Sequence, residues 1–218
     1  MTGQTNRKSS ALLRQVFHQY DHSDISSQEA ARFCSRCGNE LAQTRKAVAD
    51  RAQCTCGWVE YQNPLPGVVV LIKDDDRVLL ARRGSRSFAG TKWCLPGGFV
   101  EFHEDYLTAA IREVREETGL VVVVESIINV VSNFLAPDLH TFVVVLLARV
   151  ESGKLLPGDD VEDLRWFDMS DPLPEMAFIS DRHILEHIAR SEPLRIPVQP
   201  QRCGSDENRD ENPISSGG

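Results

Sequence analysis

Leu95-Pro96-Gly97-Gly98-Phe99-Val100-Glu101-Phe102-His103-Glu104-Asp105-Tyr106-Leu107-Thr108-Ala109-Ala110-Ile111-Arg112-Glu113-Val114-Arg115-Glu116-Glu117-Thr118-Gly119-Leu120 is the stretch on which the reading of this chain turns. The spacing predicts a helix over roughly Glu104–Thr118. At 100° per residue, Leu107, Ala110, Ile111 and Val114 fall on one arc, which must face a core. Glu113, Glu116 and Glu117 fall on the neighbouring arc, at i, i+3 and i+4. Gly119 sits where a left-handed cap would stop the helix. Gathering acids in this way is unfavourable by itself. Like charges at i, i+4 cost roughly 0.2–0.5 kcal/mol per pair, and these sit at the negative end of the helix dipole. Three carboxylates beside a buried face are, however, the oxygen ligands that a hard divalent cation takes. The Gly97-Gly98 pair lets backbone approach an ion or a phosphate closely. Read as charge alone, Arg112 to Glu117 would equally suit a solvated face with internal ion pairs.

The full spacing decides between the two. Gly98 is followed after five residues by Glu104, and after seven more by Arg112-Glu113-Val114-Arg115-Glu116-Glu117-Thr118-Gly119-Leu120. This resembles the Nudix box, G-x5-E-x7-R-E-U-x-E-E-x-G-U with U apolar, at every fixed position. The likeness extends to Arg77–Arg83 and to Gly90-x-x-Trp93-x-Leu95-Pro96-Gly97-Gly98 before the box, and to Trp166-Phe167 after it. His103 stands where many members carry Gly, at a variable position. The resemblance implies an α/β (α+β) fold, the Nudix α/β/α sandwich around a mixed sheet, and hydrolysis of a nucleoside diphosphate linked to another group. It further implies that Glu113, Glu116, Glu117 and a backbone carbonyl at Gly97 or Gly98 bind Mg²⁺ or Mn²⁺. Glu104 and Arg112 would orient the helix through hydrogen bonds and charge pairing, and Glu104 could share metal or proton-transfer duty.

Outward from the box, the residues themselves offer candidates. Arg82, Arg83, Arg86 and Lys92 could clamp phosphates, since guanidinium forks match phosphate oxygens, or could be solubilising charge. Phe88, Trp93 and Phe178 are candidates for base stacking, although aromatics more often fill cores. A general base would come from the box or from Asp159-Asp160-Val161-Glu162-Asp163, with Glu162 favoured because it lies four residues before Trp166. The coarse pattern predicts a hairpin from Val68–Lys73 and Arg77–Ala81 around Asp74-Asp75-Asp76. Separate β-branched strands are expected at Val121–Glu125, Ile127–Val131 and His140–Val150, with a further short strand at Leu164–Phe167. A second helix is expected at Asp181–Arg190.

Upstream, Cys34-Ser-Arg-Cys37-Gly38 and Cys54-Thr-Cys56-Gly57 lie sixteen residues apart. Four thiolates suit tetrahedral Zn²⁺ with no open position, hence a structural site. The region resembles the zinc ribbon that precedes some Nudix domains, except that its second pair is C-x-C rather than C-x-x-C. Cys94 reads as a core residue and Cys203 as part of a tail. The domain reading is an extension over residues 1–33, a ribbon over 34–62, the Nudix domain over 63–194 and a disordered tail over 195–218. Within the extension, Leu12, Leu13, Val16, Phe17 and Tyr20 have helical spacing (Ala11–Tyr20), with a second short helix near Gln28–Phe33.

Composition sets outer limits. The 218 residues carry a formal net charge of −8, which argues against a sequence-independent grip on nucleic acid. The longest apolar run, Phe142–Ala148, is far short of the ~20 residues of a membrane helix. No apolar signal region follows Arg7 and Lys8. The acid-free first 20 residues loosely resemble an organelle transit peptide but hold too few Arg and Ser. A cytoplasmic location is therefore expected. Ribbon-bearing relatives lean towards ADP-ribose, FAD or reduced pyridine dinucleotides. The S-Q-P-W-P-F-P stretch of the NADH-cleaving subgroup has no counterpart in Ser132–Pro137, which ranks ADP-ribose and FAD-like substrates first. The alternatives are a hydrolase that sanitises damaged triphosphates, and a ligand sensor or nucleic-acid-binding ribbon protein that would be expected to lose a box glutamate. Dimers are common among ADP-ribose-cleaving relatives, so a homodimer is implied by analogy.

Overall fold

The computed structural model describes residues 13–21, 31–41, 52–61, 63–191 and 193–199. Its framework is set by strands rich in Val, Ile and Leu. β2 (Leu65–Asp74) turns through Asp75, at φ 53°, into β3 (Arg77–Arg83), as the hairpin pattern predicts. β5 (Leu120–Ala136) and β6 (Leu139–Gly153) form a long antiparallel hairpin, and β6 runs parallel to β2 from Thr141 to Arg149. β4 (Trp93–Cys94) and β7 (Val161–Asp168) both pair with β3. With β1 (Val16–His18) and β8 (Ile196–Pro197) on the β5 edge, the sheet is eight-stranded and mixed.

Alternation along β2 divides the core in two. Val68, Val70 and Ile72 face α1 (Tyr106–Thr118), through Ala109, Ala110 and Val114. Leu71 faces the other way, towards Ile184 and Leu185 of α2 (Ile179–Ile188). One helix on each face gives the expected α/β/α sandwich. α1 begins two residues later than its apolar pattern suggests. Asp105 caps it by accepting from Leu107 N–H at 2.8 Å and Thr108 N–H at 3.1 Å, which meets two of the orphan donors of the first turn. Gly119 ends it at φ 71° and donates to Arg115 O at 2.9 Å.

Three expectations give way. Val121–Glu125 and Ile127–Val131 are one strand, because register shifts between Val124 and Ser126 and between Ile127 and Asn129 keep β5 paired with continuous β6. Residues 16–18 are strand rather than helix: Val16, Phe17 and His18 pair in parallel with Ser132, Asn133 and Phe134. A short segment gains little from an isolated helix, whereas the β5 edge offers unpaired backbone groups and a core site where Phe17 is 2% exposed. At the other end, Ile196–Pro197 add to the same edge, at Ser126–Ile127, inside the stretch read as tail. The short helix expected near Gln28–Phe33 lies mostly outside the described residues, and Phe33 forms a bridge with Glu40. No helix among the described residues is long and apolar enough to cross a membrane.

Candidate active site

The site begins with a strap of backbone. Between β4 and α1 the chain lies along β2, where Val70 N–H donates to Pro96 O at 2.8 Å and Val68 N–H to Gly98 O at 2.9 Å. Gly97 adopts φ 149°, and a Cβ there would meet Val68 O at 2.2 Å. A Cβ on Gly98 would meet the Glu113 carboxyl at 2.4 Å. Space therefore requires glycine at 97, against the strand beneath, whereas at 98 an added Cβ would push aside the Glu113 carboxyl.

α1 carries its acids over this strap. Gly97 N–H donates to Glu117 Oε2 at 2.9 Å. Arg112 is the hub of the remainder. Its Nε and Nη2 hold both oxygens of Glu104 at 3.0 and 2.6 Å, and its Nη1 reaches Glu113 at 2.9 Å and Glu116 at 3.0 Å. Nη2 also donates to Phe99 O at 3.1 Å, tying the strap to the helix. The Arg112 hydrogen bonds hold the Glu104 carboxyl below its usual range. Glu117 is 3% exposed, and burial pushes its carboxyl up to about 8, against the pull of Gly97 N–H. Burial likewise raises Glu113, opposed by Arg112. Burial thus disfavours the ionised form of both acids, and a cation held between them would favour it.

Glu113 and Glu117 form one wall of a cavity of about 410 Å³. Its lining includes Phe88 and Phe178, stacked with centroids 6.2 Å apart and 13° between planes. The Arg83 guanidinium lies 5.6 Å from the Phe178 ring and 3.2 Å from Asp160. Of the four basic candidates Arg83 alone lines the cavity. Arg82 is turned to Glu162 and Asp163, and Lys92 pairs with Glu175 at 2.9 Å. Arg86 is not among the lining residues. Trp93 is not a stacking platform: it is buried in the core, edge-on to Phe167.

Glu162, favoured above as the base, also lies elsewhere. As the second residue of β7 it alternates outward, accepting from Ser85 N–H at 3.0 Å and pairing with Arg82. Asp159 and Asp160, from the loop before β7, line the cavity instead. Asp160 is engaged by Arg83 and by Ser87 Oγ. Other lining residues escaped the sequence reading. Asp181, 2% exposed, accepts from Leu95 N–H at 3.0 Å and anchors the start of the strap. Asn133 and Thr141 lie at the far end. Asn133 breaks an apolar alternation with Val131 and Leu135, a signal that was present in the sequence. Asp181 leaves no such trace, because its burial depends on α2 docking.

Apart from the cavity, the ligand atoms of Cys34, Cys37, Cys54 and Cys56 lie within 4.8 Å of one another. Cys34 Sγ is 3.8 Å from Cys56 Sγ, and Cys37 Sγ 3.5 Å from Cys54 Sγ. Thiolates arranged tetrahedrally about 2.3 Å from zinc would stand about 3.8 Å apart, so the cluster is compatible with zinc. The missing residue of the C-x-C pair is absorbed in its turn. Gly57 N–H closes on Cys54 O, three residues back, where Gly38 N–H closes on Cys34 O, four back.

The Nudix domain model matches residues 63–188. An ADP-ribose pyrophosphatase of Methanocaldococcus jannaschii is 36% identical over 132 residues, covering 59% of this chain and 75% of that protein. An NAD-capped RNA hydrolase, NudC, of Pseudomonas aeruginosa is 34% identical over 174 residues, or 78% of this chain. The chain spans 60% of the length of that relative. Among solved structures, a Nudix hydrolase from Nitrosomonas europaea superposes with a TM-score of 0.61 at 27% identity, over 73% of this chain and 89% of its own. With the box, the sandwich and the relatives in agreement, the chain belongs to the Nudix hydrolase family.

Proposed function

We propose that the chain hydrolyses the diphosphate bridge of an ADP-linked substrate and releases AMP. The observation that carries this reading is the pair of buried carboxylates, Glu113 and Glu117, lining a cavity that Arg83 and the stacked Phe88 and Phe178 also line. Glu113, Glu116 and Glu117 would hold Mg²⁺ or Mn²⁺. A backbone carbonyl at Gly97 or Gly98 would add a ligand, Gly98 O using its second lone pair beside the bond it accepts from Val68 N–H. When bound, the ion supplies charge neutralisation and Lewis acidity at the diphosphate. Arg112 keeps Glu104, Glu113 and Glu116 converged. Asp159, on the cavity wall and close enough to raise Glu113 electrostatically, takes the proton of the attacking water at its carboxylate in place of Glu162. Arg83 orients phosphate, and Phe88 and Phe178 stack a base.

In the same reading, the four cysteines hold a structural zinc, the chain works in the reducing cytoplasm, and it assembles as a homodimer by analogy with ADP-ribose-cleaving relatives. The test is a panel of ADP-ribose, FAD, NADH and damaged triphosphates with Mg²⁺ or Mn²⁺, resolved by chromatography. AMP from one of the first three is the expected product. Pyrophosphate from a triphosphate would transfer the protein to nucleotide sanitising, and tight binding without any product would make it a sensor.

A further inference from the structure

β3 and β4 are antiparallel neighbours, which two residues can join. The chain instead runs from Arg83 to Trp93 through a loop closed on itself. Ser87 N–H donates to Gly84 O at 3.0 Å, Gly90 N–H to Ser87 O at 2.9 Å and Thr91 N–H to Arg83 O at 2.9 Å. The loop presents Phe88, 41% exposed, against Phe178 in the cavity lining. From the other side, the loop between β6 and β7 meets it at Asp160. Asp160 O accepts from Gly84 N–H at 2.6 Å. Its Oδ2 accepts from Ser87 Oγ at 2.5 Å and from Arg83 Nη2 at 3.2 Å. Arg83 Nε completes the ring of contacts by donating to Phe88 O at 2.9 Å.

Backbone strain gathers at the same place. Among the described residues four non-glycines have left-handed backbone, and three of them lie in these two loops: Ala89 at φ 52°, Thr91 at φ 70° and Asp159 at φ 49°. Each such conformation costs free energy, a branched Thr above all. A connection that served stability alone would be short and unstrained. Loops held in a costly shape by a rigid scaffold are where binding groups are presented. One carboxylate here fixes both groups assigned to the substrate: it bonds Arg83 directly, and it reaches Phe88 through Ser87 on one side and the Arg83 Nε bond on the other.

We infer that Asp160 and Ser87 are positioning residues, which clip the two loops together and so hold Arg83 and Phe88 in place for the adenosine half of the substrate. This rests on the proposed diphosphate hydrolysis and adds to it the residues that preorganise binding. It also gives the two adjacent acids separate tasks, with Asp159 at the water and Asp160 at the loop.

The probe is α,β-methylene-ADP, which carries the adenosine diphosphate half shared by ADP-ribose, FAD and NADH and is not hydrolysed at its bridge. Its Kd is measured by calorimetric titration of the full chain with Mg²⁺. Ser87→Ala and Asp160→Ala should each raise Kd about tenfold, while Ser87→Thr, which keeps the hydroxyl, should stay within about threefold of the parent. In a Phe88→Leu background, Ser87→Ala should change Kd by less than about twofold, because the clip acts through the ring it holds. Asp160→Asn keeps an acceptor oxygen but cannot take up the proton of an attacking water. On whichever of ADP-ribose, FAD and NADH the parent cleaves fastest, its kcat should stay within about threefold, and a fall of about a hundredfold would make Asp160 the general base and overturn the positioning role. Thermal melts confirm that each variant folds. Variants that bind the probe as the parent does, losses from Ser87→Ala and Phe88→Leu that multiply, or a parent that does not bind the probe would also overturn the clip, and release of AMP would leave the hydrolase reading standing. The expected Kd pattern without AMP from any of the three substrates would overturn the hydrolase reading and leave the clip.

Discussion

Glu116 is the most exposed of the three convergent acids, with its side chain 51% accessible. Replacing it removes charge from the site without opening the core. Glu116→Gln should lower kcat by roughly 10³-fold, the scale on which loss of electrostatic stabilisation at a reacting centre is felt, with a melting temperature close to that of the parent. Unchanged turnover would remove Glu116 from the metal site. Asp181 should instead report on stability. Burial pushes its carboxyl from the ordinary 3.8 up to about 7. Between those values the folded chain holds a proton that the unfolded chain has released, so stability falls as pH rises across the window. Asp181→Asn keeps an acceptor for Leu95 N–H and cannot ionise. Urea titrations at pH 5 and pH 8 should show the parent losing on the order of 2 kcal/mol more than the variant. Glu117 contributes a slope of the same sign, so the variant's dependence shrinks rather than vanishes. Identical slopes would place the titration elsewhere.

At the scale of elements, the strap and the ribbon behave differently under small changes. A methyl at Gly97 meets backbone beneath it, at 2.2 Å from Val68 O, while one at Gly98 meets the tip of a side chain, the Glu113 carboxyl. Gly97→Ala should therefore destabilise the fold by about 3 kcal/mol, since both clash and backbone strain act. Gly98→Ala should fold and lose at least tenfold in activity by displacing Glu113. Denaturant midpoints and kcat/KM on the same two proteins separate these outcomes, and equal losses in both quantities would refute the distinction. In the ribbon, Cys37→Ser should abolish stoichiometric zinc by elemental analysis. Chelation should lower ribbon stability more than it slows hydrolysis, because structural zinc contributes folding free energy. Zinc content equal to the parent's would end the assignment.

At the scale of the whole molecule, residues far apart in the chain close one edge of the sheet. β1 and β8 both lie on β5, and Phe17 joins Ile184 and Leu185 in the core on the α2 side. Phe17→Ala should accordingly cost about 3–5 kcal/mol in denaturant unfolding; a loss below 1 kcal/mol would show that the first strand is dispensable. The helix of the box, the first hairpin, the sandwich class and the paired cysteines were all legible in the sequence. The helix, the hairpin and the cysteine pairs rest on local periodicity, capping and motif spacing, which are properties of neighbours along the chain, while the sandwich class followed from the resemblance that the box carries. The edge strands were not legible. Leu13, Val16 and Phe17 are compatible with a helix until β5 offers an unpaired edge. Glu162 and Asp159 could not be told apart by spacing either, because strand alternation turns one outward while the loop before β7 turns the other into the cavity. By itself the sequence determined the family chemistry, through Arg112 and its glutamates on one helix. Only the tertiary structure decided which of the remaining polar residues line the cavity, because burial and facing are set by what docks from elsewhere in the chain.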